Sequence, residues 1–168
     1  MNGVALPSPF EIRPAEPGDV PAIHAMIAAL AEYEKLAHLC VATEAHLADA
    51  LFGPRPSAEV LIACKDRTPA AFALFFHNFS TFLGRPGLWL EDLFVLPEHR
   101  RQGCAQALLR ALAAIARERG CGRFEWAVLD WNAAAIAFYR SHGATILPDW
   151  RIVRVTGPSL HALADGVT

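Results

Sequence analysis

The sequence lacks the features that several functional classes require. It has no uninterrupted apolar run long enough to span a bilayer, since Arg110 breaks the most alanine-rich segment. The first nine residues have neither a basic start nor an apolar core, so no signal peptide is expected. The formal net charge of −2 gives no basic surface of the kind that nucleic-acid binding needs. We therefore expect no membrane and no nucleic acid among the partners of this chain.

Metal-binding patterns are also absent. The seven histidines show no ligand spacing, and no C-x-x-C pair occurs among the four cysteines, Cys40, Cys64, Cys104 and Cys121. We expect no metal, and reduced, mostly buried thiols in a cytoplasmic protein. The length of 168 residues fits one domain over 1–168, with a core at about 10–155.

Apolar periodicity predicts strands and helices in succession. The strands are expected at 10–14, 59–65, 70–77, 88–96, 123–129, 144–147 and 151–155. One helix starts with Asp19 as its N-cap, and a short one lies between the cap Thr43 and Gly53. Two more span 102–119 and 133–142, the latter capped by Asn132. Residues 78–87 are expected to form a loop and 158–168 a weakly structured tail.

A short basic turn connects the strand at 88–96 to the longest helix. It carries Arg100, Arg101 and Gly103, followed by Ala105. Unpaired N–H groups and the positive end of the helix dipole make such a turn an anion site, most naturally for phosphate. The alternative is a plain connection with solvated arginines. A Walker loop is excluded because no Gly-Lys-Ser/Thr follows, and a dinucleotide fingerprint fails for want of three glycines.

Two consecutive carboxylates, Glu91 and Asp92, interrupt the apolar strand before this turn. Strand alternation directs Glu91 toward the face of Trp89, and Asp92 toward the face of Leu90 and Phe94. A buried ionised carboxylate is costly unless paired, and desolvation raises its pKa and makes it a better base. An internal ion pair or a hydrogen bond to the backbone is the alternative to a functional role.

The first helix ends on polar residues that continue its apolar stripe. The stripe of Ile23, Met26, Ile27 and Leu30 leads to Glu34, with Tyr33 beside it. A carboxylate and a phenol at this position can face a cleft. Alternatively, Glu34 extends into solvent next to Lys35.

Several separated motifs resemble those of the GNAT N-acetyltransferases. They are Arg100-x-x-Gly103-x-Ala105 after an apolar strand, then Asn132, and then Ala137-Phe-Tyr-x-x-x-Gly143. The motifs Leu30-Ala-Glu-Tyr-Glu34, Leu90-Glu-Asp-Leu-Phe-Val95 and Asp149-Trp150 resemble the branch of diamine (spermidine/spermine) and thialysine acetyltransferases. The likeness covers roughly residues 10–155.

This resemblance implies an α/β (α+β) fold in which about four helices flank a mixed, twisted sheet of about six or seven strands. It also implies acetyl-CoA as the acetyl donor, with pantetheine entering where the strands at 88–96 and 124–129 splay apart. The residues expected to bind the cofactor are Leu93, Phe94, Val95, Arg100, Arg101, Gln102, Gly103, Cys104, Ala105, Asn132 and Tyr139. A homodimer is the implied assembly.

Direct attack by an amine on a thioester needs a base and an acid. An alkylammonium has a pKa near 10 and must lose a proton first, so Glu91 is the candidate base, directly or through a water. Tyr139 is the candidate acid for the leaving thiolate, although it could instead be a packing aromatic. Cys104 is interpreted as a small apolar residue of the loop, and no covalent enzyme intermediate is required.

A small cationic amine is the expected substrate. The side chains expected to bind it are Tyr33, Glu34, Glu91, Asp92, Asp149 and, through cation–π contact, Trp150. The Ser80-Thr-Phe82 segment lacks the acid of the polyamine-specific members, and Pro148-Asp-Trp only partly matches their Glu-Gly-Trp. These departures favour thialysine or another short amine over a long polyamine. The alternatives are acetylation of a protein or peptide, and a non-catalytic acyl-CoA sensor.

Overall fold

The computed structural model describes residues 9–167. The chain forms two compact units that divide after Ala127. The larger unit contains the whole sheet and three α-helices, and the smaller one contains two α-helices. The expected single domain stays a prediction.

The sheet of the larger unit is mixed and has five strands in the order β1-β2-β3-β4-β5. The first four pair antiparallel, and β5 lies parallel to β4. This confirms the predicted α/β class with a mixed sheet, although with fewer than six strands. The strands are β1 Glu11–Pro14, β2 Glu59–Lys65, β3 Thr68–Ser80, β4 Arg85–Val95 and β5 Arg123–Trp126.

Within the larger unit, α-helices cover both faces of this sheet. The helices are α1 Val20–Tyr33, α2 Glu44–Phe52, α3 Cys104–Glu118, α4 Ala133–Ser141 and α5 Pro158–Ala164. Alternate β2 residues, Val60 and Ile62, form one core with α1 and α2. The residue between them, Leu61, is buried on the other face, which α3 covers with its buried stripe.

The two predicted helix starts at Thr43 and Asp19 have different outcomes. The Thr43 hydroxyl accepts a hydrogen bond from the His46 amide at 3.2 Å, which confirms it as the cap of α2. Asp19 occupies the predicted N-cap position of α1, but its side chain makes no capping hydrogen bond to this helix. Its carboxylate accepts both arms of the Arg13 guanidinium, at 2.6 and 2.9 Å, and the Glu16 amide at 2.7 Å. The carboxylate oxygens that could cap α1 are therefore already engaged in a bidentate, charge-assisted pair with Arg13.

The predicted loop at 78–87 is mostly strand. β3 runs to Ser80 and β4 starts at Arg85, so only four residues make the turn. Gly84 has a φ of 61°, and its amide donates to the Ser80 carbonyl at 2.8 Å. The Ser80 hydroxyl accepts from the Leu83 amide at 3.2 Å. These local bonds close a tight hairpin that the serine- and glycine-rich composition had suggested was a longer loop.

The smaller unit differs most from expectation. The strands predicted at 144–147 and 151–155 do not form, and the tail expected to be weakly structured contains α5. A strand needs a partner along its edge, and the described residues offer none to these segments. Most of their apolar side chains are accordingly exposed, Val153 by 90%. Pro158 occupies the first turn of α5, where its fixed φ favours a helix start.

Candidate active site

Glu91 is the extra residue of a β-bulge in β4. The register pairs Leu74 of β3 with Asp92 and the next residue, Phe75, with Leu90. No β3 residue stands opposite Glu91, which is the defining feature of a bulge. Because directly opposite residues share a face, Asp92 and Leu90 lie on opposite faces of the sheet. The prediction that they share a face was wrong, since strict alternation fails at a bulge.

The bulge divides the two carboxylates by environment. Asp92 is half-buried on the face that α1 covers, whereas the Glu91 side chain is exposed. Burial and, to a smaller extent, the neighbouring charges of Glu91 and Glu34 together raise the pKa of Asp92 to about 6. Burial also raises the pKa of Glu34, which is half-buried just after α1. Glu34 is therefore only partly exposed and close enough for its charge to act on Asp92, so three carboxylates contribute to the charge of this site.

The exposed carboxylate of Glu91 has a defined partner. The indole N–H of Trp89 donates a hydrogen bond to Glu91 Oε2 at 2.8 Å. An indole N–H can only donate, and an ionised carboxylate can only accept, so the pair is chemically matched. Sequence analysis placed the two side chains on one face but did not identify this bond.

The strands β4 and β5 part at this point. Their parallel pairing runs from Gly87 opposite Arg123 to Leu90 opposite Trp126, where β5 ends. The predicted strand at 123–129 is therefore shorter, and β4 continues through Val95 with β3 as its only strand partner among the described residues. The Leu96 amide donates to the Ala70 carbonyl at 3.0 Å. By antiparallel alternation, the backbone groups of Leu93 and Val95 point away from β3.

The basic turn has the conformation that an anion site needs. Arg101 has a φ of 58° and Gly103 a φ of 85°, after which α3 begins at Cys104. The first N–H groups of this 15-residue helix therefore follow a turn that contains two left-handed residues. A Cβ added to Gly103 would meet no atom within 4 Å, so open space lies beside the loop backbone. The loop is shaped to let an anionic group approach its amides.

Arg100 connects this loop to α1 and β4. Its Nε donates to the Val95 carbonyl at 3.0 Å. Its Cζ atom lies 5.1 Å from the ring centroid of Tyr33 and 5.5 Å from that of Phe94. Arg100 of the loop thus contacts Phe94 and Val95, which the sequence predicted for the cofactor, and Tyr33, which it predicted for the substrate.

A lysine that sequence analysis missed also contacts the loop. Lys65 Nζ, at the end of β2, donates to Gln102 Oε1 at 2.9 Å. The Gln102 amide nitrogen in turn donates to the Glu98 carbonyl at 2.9 Å. Lys65 and Gln102 are 37 residues apart in the chain, so no local pattern could have indicated the contact.

Cys104 is the first residue of α3 and is 2% exposed. Burial raises the pKa of its thiol to about 11. A thiol with so high a pKa is a poor nucleophile near neutral pH, since the thiolate is the reactive form. This agrees with its interpretation as a small apolar residue of the loop.

The smaller unit carries the other predicted site residues. Asn132 caps α4, accepting a hydrogen bond from the Ala135 amide at 3.2 Å. Tyr139 is half-buried on α4, with its ring 5.5 Å from that of Phe138. Trp150 is 77% exposed, and Asp149 beside it is exposed as well. The roles expected of these four side chains stay predictions.

Comparison with known proteins identifies the family. The model of the Acetyltransferase (GNAT) family matches residues 24–144, most of the chain. The chain belongs to the GNAT acetyltransferase family. It is therefore an acyltransferase, as the motifs around Arg100 and Tyr139 had suggested.

Curated relatives of this GNAT chain act on amines. It is 36% identical to the L-ornithine N5-acetyltransferase NATA1 of Arabidopsis thaliana, over 90% of this chain and 86% of the relative. It is also 36% identical to a thialysine N-epsilon-acetyltransferase of Sus scrofa, over 91% and 96%. Among solved structures, an integron cassette protein from the mobile metagenome of V. cholerae matches with a TM-score of 0.77 and 26% identity, over 92% of this chain and 97% of the other.

Within residues 9–167, no helix combines the length and apolar character needed to cross a membrane. The same residues contain no group of three or more His, Cys, Asp or Glu side chains that could hold a metal ion.

Proposed function

We propose that this GNAT enzyme transfers the acetyl group of acetyl-CoA to a primary amine of a small cationic substrate. The observation that carries the proposal is the cluster of Glu34, Glu91 and Asp92 where β4 leaves β5. Burial and the mutual repulsion of the carboxylates raise the pKa of Asp92 to about 6, so the site would favour a ligand that brings positive charge. An alkylammonium group would supply that charge, and ion pairing would favour the ionised form of Asp92.

The loop and the edge of β4 are the parts that would hold the cofactor. The N–H groups around Gly103 and at the start of α3 suit a pyrophosphate, and the open space beside Gly103 admits one. The backbone of Leu93 and the N–H of Val95 point away from β3 and can pair with the amides of a pantetheine arm, whereas the Val95 carbonyl accepts from Arg100. When bound, acetyl-CoA supplies an activated thioester.

Glu91 and Tyr139 are assigned the two proton transfers. Glu91 accepts the proton that the ammonium must lose, directly or through a water, so that the nitrogen lone pair becomes available. The N–C bond then forms as the C–S bond breaks. Tyr139 gives its phenolic proton to the departing sulfur, and the surplus proton of the new amide nitrogen returns to the phenolate, directly or through a water. Tyr139 stands in the Ala-Phe-Tyr-x-x-x-Gly motif, whose likeness to the family supports this role.

A short amine with a second polar group is the favoured substrate class. The ornithine and thialysine acetyltransferases that resemble this chain are named for substrates of that kind. Tyr33 and Glu34 at the end of α1, with Asp92, would bind the ammonium. Asp149 and Trp150 are predicted to bind the substrate because their motif resembles that of the family, Trp150 through cation–π contact. The Ser80-Thr-Phe82 segment lacks the acid expected of the polyamine-specific members, which favours a short substrate over a long polyamine.

A thiol-release assay with acetyl-CoA tests the proposal. The panel contains ornithine, thialysine, lysine, 1,3-diaminopropane, spermidine and a peptide with a free N-terminus and a lysine. We expect turnover with the short amines, with kcat/KM highest for ornithine or thialysine. Turnover of the peptide alone would support the protein-acetylating alternative. Tight acetyl-CoA binding without thiol release from any amine would support the sensor and overturn the proposal.

We further propose that the protein is a homodimer located in the cytoplasm. The exposed apolar side chains Leu147, Ile152 and Val153 of the smaller unit are suited to burial against a second copy. Sedimentation velocity at working concentration tests this directly. A single species with the mass of one chain would contradict the dimer.

A further inference from the structure

The hydrogen bond from Trp89 to Glu91 has a specific structural origin. In a regular strand, residues two apart project in parallel from the same face, with Cα atoms about 6.6 Å apart. Here the acceptor, Glu91, is the extra residue of the bulge, and no β3 residue stands opposite it. The bulge re-aims the Glu91 side chain, and its Oε2 lies 2.8 Å from the indole nitrogen.

The donor of this bond is held more firmly than the acceptor. Trp89 is half-buried and paired on both sides, opposite Phe76 of β3 and Glu125 of β5. Glu91 lies just past the last β4–β5 pair and its side chain is exposed. An exposed glutamate ordinarily samples several rotamers. The bond to a fixed indole selects one of them.

We infer that Trp89 is the positioning residue for Glu91, holding its carboxylate in the orientation that receives the proton of the amine. The bond uses one oxygen, Oε2, and leaves Oε1 to accept a proton from the ammonium or from an intervening water. This inference rests on the proposed function, because it concerns the base of that reaction. It adds a residue to the mechanism that itself touches neither substrate nor cofactor.

The neighbouring charges explain why such a tether is useful here. Asp92 follows Glu91 directly, and Glu34 contributes a third carboxylate to the site. Like charges repel, so an untethered Glu91 would turn toward solvent and away from the other two. The indole N–H offsets part of that repulsion without adding a positive charge that would compete with the cationic substrate.

The variant Trp89→Phe tests the inference because it keeps an aromatic ring in the strand and removes only the N–H and the second ring. We expect kcat to fall about ten- to a hundred-fold, as the loss of one hydrogen bond to a charged group predicts. The KM for acetyl-CoA should change less than about two-fold, because the cofactor contacts are elsewhere. The matched control is Trp126→Phe, which removes an indole N–H from the adjacent strand opposite Leu90.

A spectroscopic measurement reports the bond without reference to activity. The four tryptophans give four indole N–H signals in a ¹H–¹⁵N spectrum, and the one missing in Trp89→Phe belongs to Trp89. In Glu91→Gln that signal should move, because a neutral amide replaces the charged acceptor. A Trp89 signal unchanged by Glu91→Gln would overturn the inference.

The outcomes separate this inference from the proposed function. If Glu91→Gln retains full turnover, the assignment of Glu91 as the base is wrong, even where the indole signal shows the bond. If Glu91→Gln is inactive while Trp89→Phe turns over like the wild type, only the positioning role is overturned. An equal loss of kcat in Trp126→Phe would also count against it, since the effect would then not depend on the Glu91 contact.

Discussion

The guanidinium of Arg100 lies over the ring of Tyr33, with its Cζ atom 5.1 Å from the ring centroid. The same side chain donates from Nε to the Val95 carbonyl at 3.0 Å. One residue of the cofactor loop thus connects the end of α1, where the amine is expected to bind, to the end of β4, where the pantetheine is expected to pair. The two halves of the proposed site share a structural support.

We expect Arg100→Gln to lower the free energy of unfolding by about 1–2 kcal/mol, because it loses a cation–π contact and a hydrogen bond to the backbone. The control is Arg101→Gln, whose effect should stay within about 0.5 kcal/mol. Urea denaturation of both variants measures the difference. Equal stability of the two would show that the contacts of Arg100 contribute nothing to the fold.

The glycine of the loop offers a cleaner test of cofactor binding. Gly103→Ala places a Cβ in the open space beside the loop, at a φ of 85°. We expect about ten-fold weaker acetyl-CoA binding, because the Cβ holds the anion away from the backbone amides. Gly84→Ala is the matched control, since its φ is 61° and its Cβ also meets nothing within 4 Å.

Both glycine variants should lose a similar stability of roughly 1 kcal/mol, the cost of a left-handed alanine. Only Gly103→Ala should lose affinity, as isothermal titration with acetyl-CoA can measure. A loss of affinity in both variants, or in neither, would contradict the assignment of the loop.

The successes of sequence analysis in this chain have a local origin. The cap at Thr43, the cap at Asn132 and the bounds of β2 depend on neighbouring residues, and all three are confirmed. The basic turn was located for the same reason, because a glycine before a helix is a local signal.

The failures involve partners far apart in the chain. The bulge at Glu91 exists only relative to β3, and the contact of Lys65 with Gln102 joins residues 37 apart. The strands predicted at 144–147 and 151–155 had suitable residues but found no edge to pair with among the described residues. Pairing energy is not local, so composition alone could not decide these cases.

Cys104 gives a prediction about reactivity. Its thiol is buried with a pKa of about 11, so it should resist alkylation by iodoacetamide at pH 8, where the half-buried Cys40 and Cys121 react first. Mass spectrometry of the native, alkylated protein identifies the labelled sites. Cys104→Ala should keep kcat within about two-fold, because no acetyl group passes through this sulfur. A large loss of kcat without a loss of stability would point to a covalent role.

The ion pair between Arg13 and Asp19 should dominate the acid sensitivity of the fold. The Arg13 guanidinium holds the pKa of Asp19 below its ordinary value. A lowered carboxyl pKa contributes stability above the ordinary value of about 4, and that contribution is lost as the pH falls through the folded value. We therefore expect Asp19→Asn to cost about 2–4 kcal/mol at pH 7 and progressively less below pH 4.

Urea unfolding across pH 7 to pH 2.5 compares Asp19→Asn with the wild type. The control is Glu59→Gln, because the Glu59–Arg119 pair is exposed by 46% and 39% and should contribute at most about 1 kcal/mol. A larger loss of unfolding free energy in Glu59→Gln than in Asp19→Asn would contradict the expectation that the more buried ion pair contributes more stability.

Asp92 should have the opposite effect on stability. Burial and the charges of Glu91 and Glu34 raise its pKa from 3.8 to about 6, so its ionised form destabilises the fold. The sign follows from linkage. The penalty is complete above about pH 6, shrinks as the pH falls toward 3.8, and vanishes below it. The full shift corresponds to about 3 kcal/mol, which solvent screening of a half-buried group reduces to about 1–2 kcal/mol.

Asp92→Asn should therefore raise the free energy of unfolding by about 1–2 kcal/mol at pH 7.5, with no gain at pH 3.5. The control is Asp66→Asn, an exposed carboxylate whose φ of 50° an asparagine tolerates. If Asp92 binds the ammonium, the same variant should raise the KM for the amine about ten-fold and leave the KM for acetyl-CoA unchanged. If Asp92→Asn is more stable than the wild type but binds the amine more weakly, the carboxylate of Asp92 costs stability and is retained for substrate binding. Unchanged stability at pH 7.5 would show that the carboxylate cluster carries no repulsion for a cationic substrate to relieve.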